Sequence, residues 1–228
     1  MENFYDRTAN LIGLEKTLKL FDKSVMVLGI GGVGGFVCEG LARAGVGNFV
    51  LVDNDVVSVT NINRQIIALN STVGKYKTEV MKQRILDINP NAKVECVNLF
   101  ITKDNVQDLN FNVDYVVDAI DNVTAKIELA KLSENVGFKL ISCMGTGNKL
   151  EPEKFEICDI SKTSVCPLAK VMRKRLKEEG VKKLTVLYSK EEPKNVGENG
   201  RLPASISFTP SIAGLRIAEF VIKELIGE

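Results

Sequence analysis

The sequence predicts an α/β fold, a doubly wound and mostly parallel sheet with an antiparallel segment appended to it. Three observations carry this. Short β-branched runs alternate with helix-period segments as far as Gly147, a cluster of glycines stands at the first strand-to-helix junction, and the rhythm changes after Gly147. Ser24 to Ile30 (SVMVLGI) is apolar on both faces, as a strand buried in a parallel sheet should be. Val33 to Ala44 then reads as a helix and Asn48 to Asp53 (NFVLVD) as a second strand. In Lys77 to Ile88, Met81, Ile85 and Ile88 share one helical face. Lys93 to Leu99 and Val113 to Asp118 are the next strands, Ala125 to Val136 a helix, and Phe138 to Met144 a strand. Such βαβ units make a Rossmann-like architecture with right-handed crossovers.

Beyond Gly147, Lys154 to Ile160 reads as an antiparallel strand, with further short strands at Thr185 to Tyr188 and Ser205 to Phe208. Pro167 to Glu179 is a helix with Leu168, Val171, Met172 and Leu176 as its apolar stripe. Ser189 to Arg201 is polar, carries Gly and Pro, and reads as a loop. In the closing helix Thr209 is the expected N-cap, Pro210 stands in the first turn, and Leu215, Ala218, Ile222 and Leu225 form the expected buried stripe. The 228 residues read as one domain, with 1–147 a nucleotide-binding half and 148–228 a substrate half closed by the C-terminal helix.

Composition narrows the chemistry. Thirty basic and twenty-nine acidic residues nearly cancel, so any nucleic-acid partner must be met by a local patch. There is no histidine, which excludes His-based acid–base catalysis, His metal ligands and catalytic triads. The five cysteines form no CxxC pair, so neither a structural zinc site nor a disulfide framework is expected. With no signal-like start and no apolar run long enough to span a bilayer, the expected location is the cytoplasm, without a membrane partner.

The sharpest motif is Gly29-Ile30-Gly31-Gly32-Val33-Gly34-Gly35 between a strand and a helix. Glycines permit positive φ and close ligand approach, and the helix N-terminus then offers free N–H groups to a phosphate. Asp53, ending the next strand, is placed for ribose hydroxyls. This much fits a dinucleotide or ATP equally. The following segments separate them: Asn61-Ile62-Asn63-Arg64-Gln65, Val73-Gly74-Lys75-Tyr76-Lys77 and Asp118-Ala119-Ile120-Asp121-Asn122. Arg64 and Lys77 suit a triphosphate, which needs charge neutralisation, and Asp121 suits its Mg²⁺. Singly, the two cations are ordinary surface charges and Asp121 a helix cap.

GxGGxG, D-x-D (Asp53, Asp55), N-x-x-R-Q, VGxxK and DAIDN in this order resemble the adenylation core of the ubiquitin-activating-enzyme-like superfamily. The chain is more closely similar to the tRNA threonylcarbamoyladenosine dehydratase family within it. That likeness is carried by Arg7 to Gly13, by Asp159 to Thr163 with Pro167-Leu168, and by the ending from Ser205 to Gly214. The resemblance implies Gly29, Gly31, Gly32 and Gly34 under the nucleotide, and Asp53 on the ribose. It places Asn61, Arg64 and Lys77 on the phosphates, with Asp55 and Gln65 in the same cofactor site. Asp121 would hold Mg²⁺, and Arg7 would reach the triphosphate of a second subunit, making a homodimer part of the site. The catalytic set it implies is Arg7, Arg64, Lys77 and Asp121. Gly35 stands where relatives often have serine, and Phe4 where carrier adenylyltransferases often have arginine. The implied reaction is ATP-dependent cyclisation of threonylcarbamoyladenosine in tRNA through an acyl adenylate.

Two alternatives remain on the residues. One is an adenylyltransferase for the C-terminal glycine of a ubiquitin-like sulfur carrier, against which the missing CxxC pairs count. The other is a non-catalytic ATP-binding adaptor partnered with a cysteine desulfurase or sulfur-acceptor system. An NAD-dependent oxidoreductase leaves Arg64, Lys77 and Asp121 without a task. Cys166 reads as a small apolar filler rather than a thioester nucleophile. Lys170, Arg173, Lys174 and Lys177, in a wider basic cluster, read either as a solvated helix face or as a tRNA-phosphate surface.

Overall fold

In the computed structural model, residues 2–194 and 204–228 are described. Seven strands form one sheet in the order β3-β2-β1-β4-β5-β7-β6. They are β1 (Ser24–Leu28), β2 (Asn48–Val52), β3 (Lys93–Val97), β4 (Tyr115–Asp118), β5 (Leu140–Cys143), β6 (Phe155–Asp159) and β7 (Thr185–Ser189). All neighbours run parallel except β6, which pairs antiparallel with β7. The helices are α1 (Asp6–Ile12), α2 (Leu14–Phe21), α3 (Gly34–Ala44), α4 (Lys77–Ile88), α5 (Val123–Val136), α6 (Pro167–Glu178) and α7 (Phe208–Ile226).

The sheet is the middle of three layers, and β1 shows why its residues must be apolar throughout. Val25 and Val27 enter one core with Val37 and Leu41 of α3, Met81 and Ile85 of α4, and Ile217 and Val221 of α7. Met26 and Leu28 alternate into the other, with Ile127 and Leu129 of α5 and Met172 and Leu176 of α6. The strand ends at Leu28, before its apolar run does. Gly29 takes φ 87°, and a Cβ there would lie 2.7 Å from the carbonyl oxygen of Ala119.

The expected antiparallel segment is β6 against β7, while β7 itself extends the parallel sheet beside β5. The expected strand from Ser205 to Phe208 is absent; Phe208 already opens α7 and Ser207 is its N-cap. Thr209, expected as the cap, lies inside the helix, and its buried hydroxyl donates to the Lys149 carbonyl at 2.9 Å. The buried face of α7 is Ala213, Ile217, Ala218, Val221 and Leu225, whereas Leu215 is exposed and Ile222 only half-buried. Close packing on α3 sets this phase. A Cβ on Gly40 would lie 2.7 Å from that of Ala218, and one on Gly214 would lie 2.4 Å from the Val33 carbonyl oxygen. Small residues, not the largest apolar ones, mark that contact. On α6, Ala169 takes a place in the buried face and Val171 is exposed. Part of the expected loop, residues 195–201, lies outside the described residues. Among the described residues no helix is long and apolar enough to cross a membrane.

Candidate nucleotide site

Strand order reverses between β1 and β4, since β1 leads on one side to β2 and on the other to β4. A crevice at the carboxyl ends of such strands is where open α/β sheets bind ligands. A cavity of about 500 Å³ opens there, lined among others by Gly29, Gly31, Gly32, Asp53, Asp55, Asn61, Arg64, Gln65, Lys77 and Asp121. The sheet thus gathers these residues from five separate stretches of sequence.

The glycines divide by task. A Cβ at Gly34 would stand 1.8 Å from the Gly29 carbonyl oxygen, so this glycine lets the turn close on itself and does not line the cavity. At Gly32 a Cβ would press on Pro210 of α7 at 3.2 Å. Gly31 differs, because the nearest atom to its Cβ would be Gln65 Nε2 at 3.8 Å, an ordinary contact. Nothing in the protein itself forbids a side chain at Gly31; a ligand resting on the backbone would.

Asp53 shapes the same turn. Its Oδ2 accepts from the Ile30 amide at 2.6 Å and its Oδ1 from the Asp55 amide at 2.8 Å. The carboxylate is thereby fixed at the cavity wall with lone pairs left for hydroxyl donors. Asn61 is fixed in the same manner: its Oδ1 accepts from the Ser58 amide at 3.0 Å, so its Nδ2 donors remain for a ligand. Arg64 Nη1 donates to the Thr60 carbonyl and to Asn63 Oδ1, each at 2.9 Å, and Asn63 Nδ2 donates to the Ser205 carbonyl at 3.1 Å. The rest of the guanidinium is available to an anion. Lys77, nearly buried, is paired with Asp55 at 2.6 Å. Gln65 is buried, and its Oε1 has no hydrogen-bond partner among the described residues. An orphaned buried amide facing a polar cavity is what a ligand or its water would satisfy.

Asp121 is exposed at the rim, and Asn122, not Asp121, caps α5 by accepting from the Ala125 amide at 3.0 Å. That leaves the Asp121 carboxylate for a cation. Among the described residues no cluster of three metal-ligating side chains exists. A single carboxylate still fits Mg²⁺, which keeps most of its waters and shares phosphate oxygens. Arg7 is exposed on α1, a helix with no buried residue, and does not line this cavity. Lys170, Lys174 and Lys177 are exposed on α6. Lys174 Nζ lies 3.9 Å from Glu178 Oε1, a loose and exposed pair, whereas Arg173 Nη1 turns back to the Thr163 carbonyl at 2.9 Å.

Further lining residues are not among the expected site residues: Leu99, Phe100 and Ile101 after β3, Thr146 after β5, and Ser205 and Pro210 before and within α7. Leu99 to Ile101 and Thr146 follow strand carboxyl ends, which is the one signal that could have marked them. Burial pushes the Cys143 thiol up to about 12, and Cys166 is buried as α6 begins, as a small apolar filler would be.

The model of the ThiF family matches residues 5–228. The tRNA threonylcarbamoyladenosine dehydratase of Bacillus subtilis (strain 168) is 42% identical over 239 residues, spanning 97% of this chain and 94% of that protein. The crystal structure of E. coli TcdA, a tRNA N6-threonylcarbamoyladenosine dehydratase, in complex with AMP superposes with TM-score 0.91 at 35% identity. That match covers 97% of this chain and 93% of the other. The same enzyme in complex with ATP gives TM-score 0.90 at 34% identity, covering 98% and 93%. A match over nearly the whole length of the chain makes it a member of the ThiF family.

Proposed function

We propose that this chain is an ATP-dependent tRNA threonylcarbamoyladenosine dehydratase, which closes the modified nucleoside into a ring by adenylating its carboxylate. The observation that carries the proposal is the cavity at the strand-order reversal, where Arg64, Lys77, Asn61 and Asp121 surround a glycine turn. The near full-length likeness to a dehydratase supports the choice of substrate.

In the first step a carboxylate oxygen of the threonyl group attacks the α-phosphorus of ATP, and the bond to pyrophosphate breaks. Arg64, Lys77 and the Asn61 amide hold the phosphates and take up the charge that moves onto the leaving group. Asp121 is the residue that would hold Mg²⁺, whose charge neutralises the triphosphate further. In the second step a nucleophile within the modification attacks the activated carbonyl and expels AMP. The nucleoside loses one water overall, while ATP becomes AMP and pyrophosphate. The protein supplies position and charge rather than a strong base, which suits a chain without histidine. In this reading residues 1–147 bind the nucleotide and 148–228 bear the substrate side, the protein works in the cytoplasm, and Arg7 reaches the triphosphate of a partner subunit. The exposed Lys170, Lys174 and Lys177 face tRNA phosphates.

The test is product stoichiometry. AMP and pyrophosphate should appear in equal amounts with threonylcarbamoylated tRNA and not with tRNA lacking the modification. Release that instead requires a ubiquitin-like carrier protein would transfer the assignment to the adenylyltransferases.

A further inference from the structure

Behind the cavity wall lies a charge pair that the reaction above does not use. Lys126 of α5 and Asp118 at the end of β4 are both 0% exposed at their side chains, with Nζ 3.0 Å from Oδ1. The ammonium also donates to Ser142 Oγ at 3.2 Å and to the Cys143 carbonyl at 2.9 Å, so its three protons meet three acceptors. The aspartate is equally committed: Oδ2 accepts from Ser142 Oγ at 2.6 Å, and Oδ1 also accepts from the Ile120 amide at 3.2 Å. A buried ion pair is poor evidence for stability, because desolvation cancels most of its attraction and apolar residues of equal size often serve as well. Its place in the fold is more informative than its energy.

The pair joins the carboxyl ends of β4 and β5, neighbouring strands on one side of the crevice, each of which runs on into the cavity lining. Asp118 leads directly into Ala119, Ile120 and Asp121, and Ser142 and Cys143 lead into Gly145 and Thr146; of these, Ala119, Ile120, Asp121 and Thr146 line the cavity. The hydrogen bond from the Ile120 amide bends the chain just before Asp121, and Ala119 is pressed on Gly29 of the phosphate turn. We propose that Lys126 is a positioning residue. By tying the β4 end to the β5 end it fixes the Asp121 turn relative to Thr146, and so places the cation-binding carboxylate against the substrate side of the cavity. This rests on the dehydratase reading, but concerns a separate property of the chain.

The test compares wild type with Lys126→Met/Asp118→Asn, which removes both charges together and keeps a side-chain oxygen at position 118 to accept from the Ile120 amide. Three measurements are made on each protein: melting temperature, ATP affinity by calorimetry with and without Mg²⁺, and kcat for AMP formation on threonylcarbamoylated tRNA. The folded double variant should bind ATP without Mg²⁺ within about twofold of wild type. It should lose the tightening that Mg²⁺ brings and fall at least about tenfold in kcat. A folded double variant with wild-type kcat and wild-type Mg²⁺ response overturns the proposal and leaves the pair a core element only. Should that variant not fold, Ser142→Ala carries the test, since it removes one acceptor of the ammonium and the donor to Asp118 Oδ2, breaking the link to β5 while both charges stay paired with each other. Reduced kcat at unchanged ATP affinity supports positioning, and wild-type kcat overturns it. An inactive wild type would instead contradict the dehydratase reading, while the calorimetric arm would still report on Lys126.

Discussion

Lys77 Nζ lies 2.6 Å from Asp55 Oδ2, with the lysine side chain 7% exposed and the aspartate 57%. The nearly buried cation at the cavity wall is therefore held by an exposed carboxylate before any ligand arrives. One of its three donors is occupied and two remain for phosphate oxygens. Removing Asp55 frees a long side chain that must then be ordered by the ligand, at about 0.5–1.5 kcal/mol. Asp55→Ala should weaken ATP·Mg binding by roughly two- to tenfold in calorimetry. Tighter binding by the variant would mean that Asp55 competes with the triphosphate instead of preparing its site.

Two glycines of one turn should fail in different ways. Gly34→Ala places a Cβ 1.8 Å from backbone, so the turn must shift and the melting temperature should drop, with ATP binding lost alongside. Gly31→Ala meets only an ordinary contact at 3.8 Å and should melt like wild type while failing to bind ATP. Thermal melts with and without ATP separate the cases. Wild-type ATP affinity in Gly31→Ala would show that the nucleotide does not rest on this backbone.

That difference between neighbours also shows what the sequence disclosed and what it hid. Strand–turn–helix context marked the glycine turn, Asp53 and Asp121 at strand ends, whereas Arg64 and Lys77 stood out only through short motifs in the loop after β2 and at the start of α4. Lys126 stayed hidden because a helical lysine reads as a surface charge, and only the parallel pairing of β4 with β5 places Ser142 beside Asp118. The phase of α7 is illegible in the sequence for a related reason. Leu215 and Ile222 look like core residues, but the contact with α3 is made where Gly214 and Ala218 let backbones approach. Ser205 resembled part of a strand, yet it is irregular chain held by Asn63, a partner 142 positions away.

The exposed Arg7 yields a complementation test. Arg7→Ala and Arg64→Ala should each lose turnover, because one removes the residue proposed to be lent to the partner and the other its own phosphate contact. Mixed, they should recover part of the wild-type rate, since one of the two sites in a heterodimer would be intact. A fully active monomer, established by size measurement under assay conditions, would contradict the shared site.

A test of the proposed tRNA surface on α6 calls for Lys170 and Lys174 rather than Arg173, whose guanidinium is engaged by Thr163. Each phosphate contact releases condensed counterions, so tRNA affinity should fall steeply with salt. Lys170→Ala/Lys174→Ala should flatten that slope by about one unit per lost contact, with ATP affinity unchanged. A salt series with wild-type slope in the variant would mark α6 as a solvated face.

The central claim is that the cavity adenylates a carboxylate carried by tRNA. Threonylcarbamoylated tRNA incubated with the protein, ATP and Mg²⁺, then digested to nucleosides and weighed by mass spectrometry, tests it most directly. The account predicts that the modified nucleoside is replaced by one lighter by a single water, in an amount matching the AMP formed. An unchanged nucleoside mass with ATP present would contradict it.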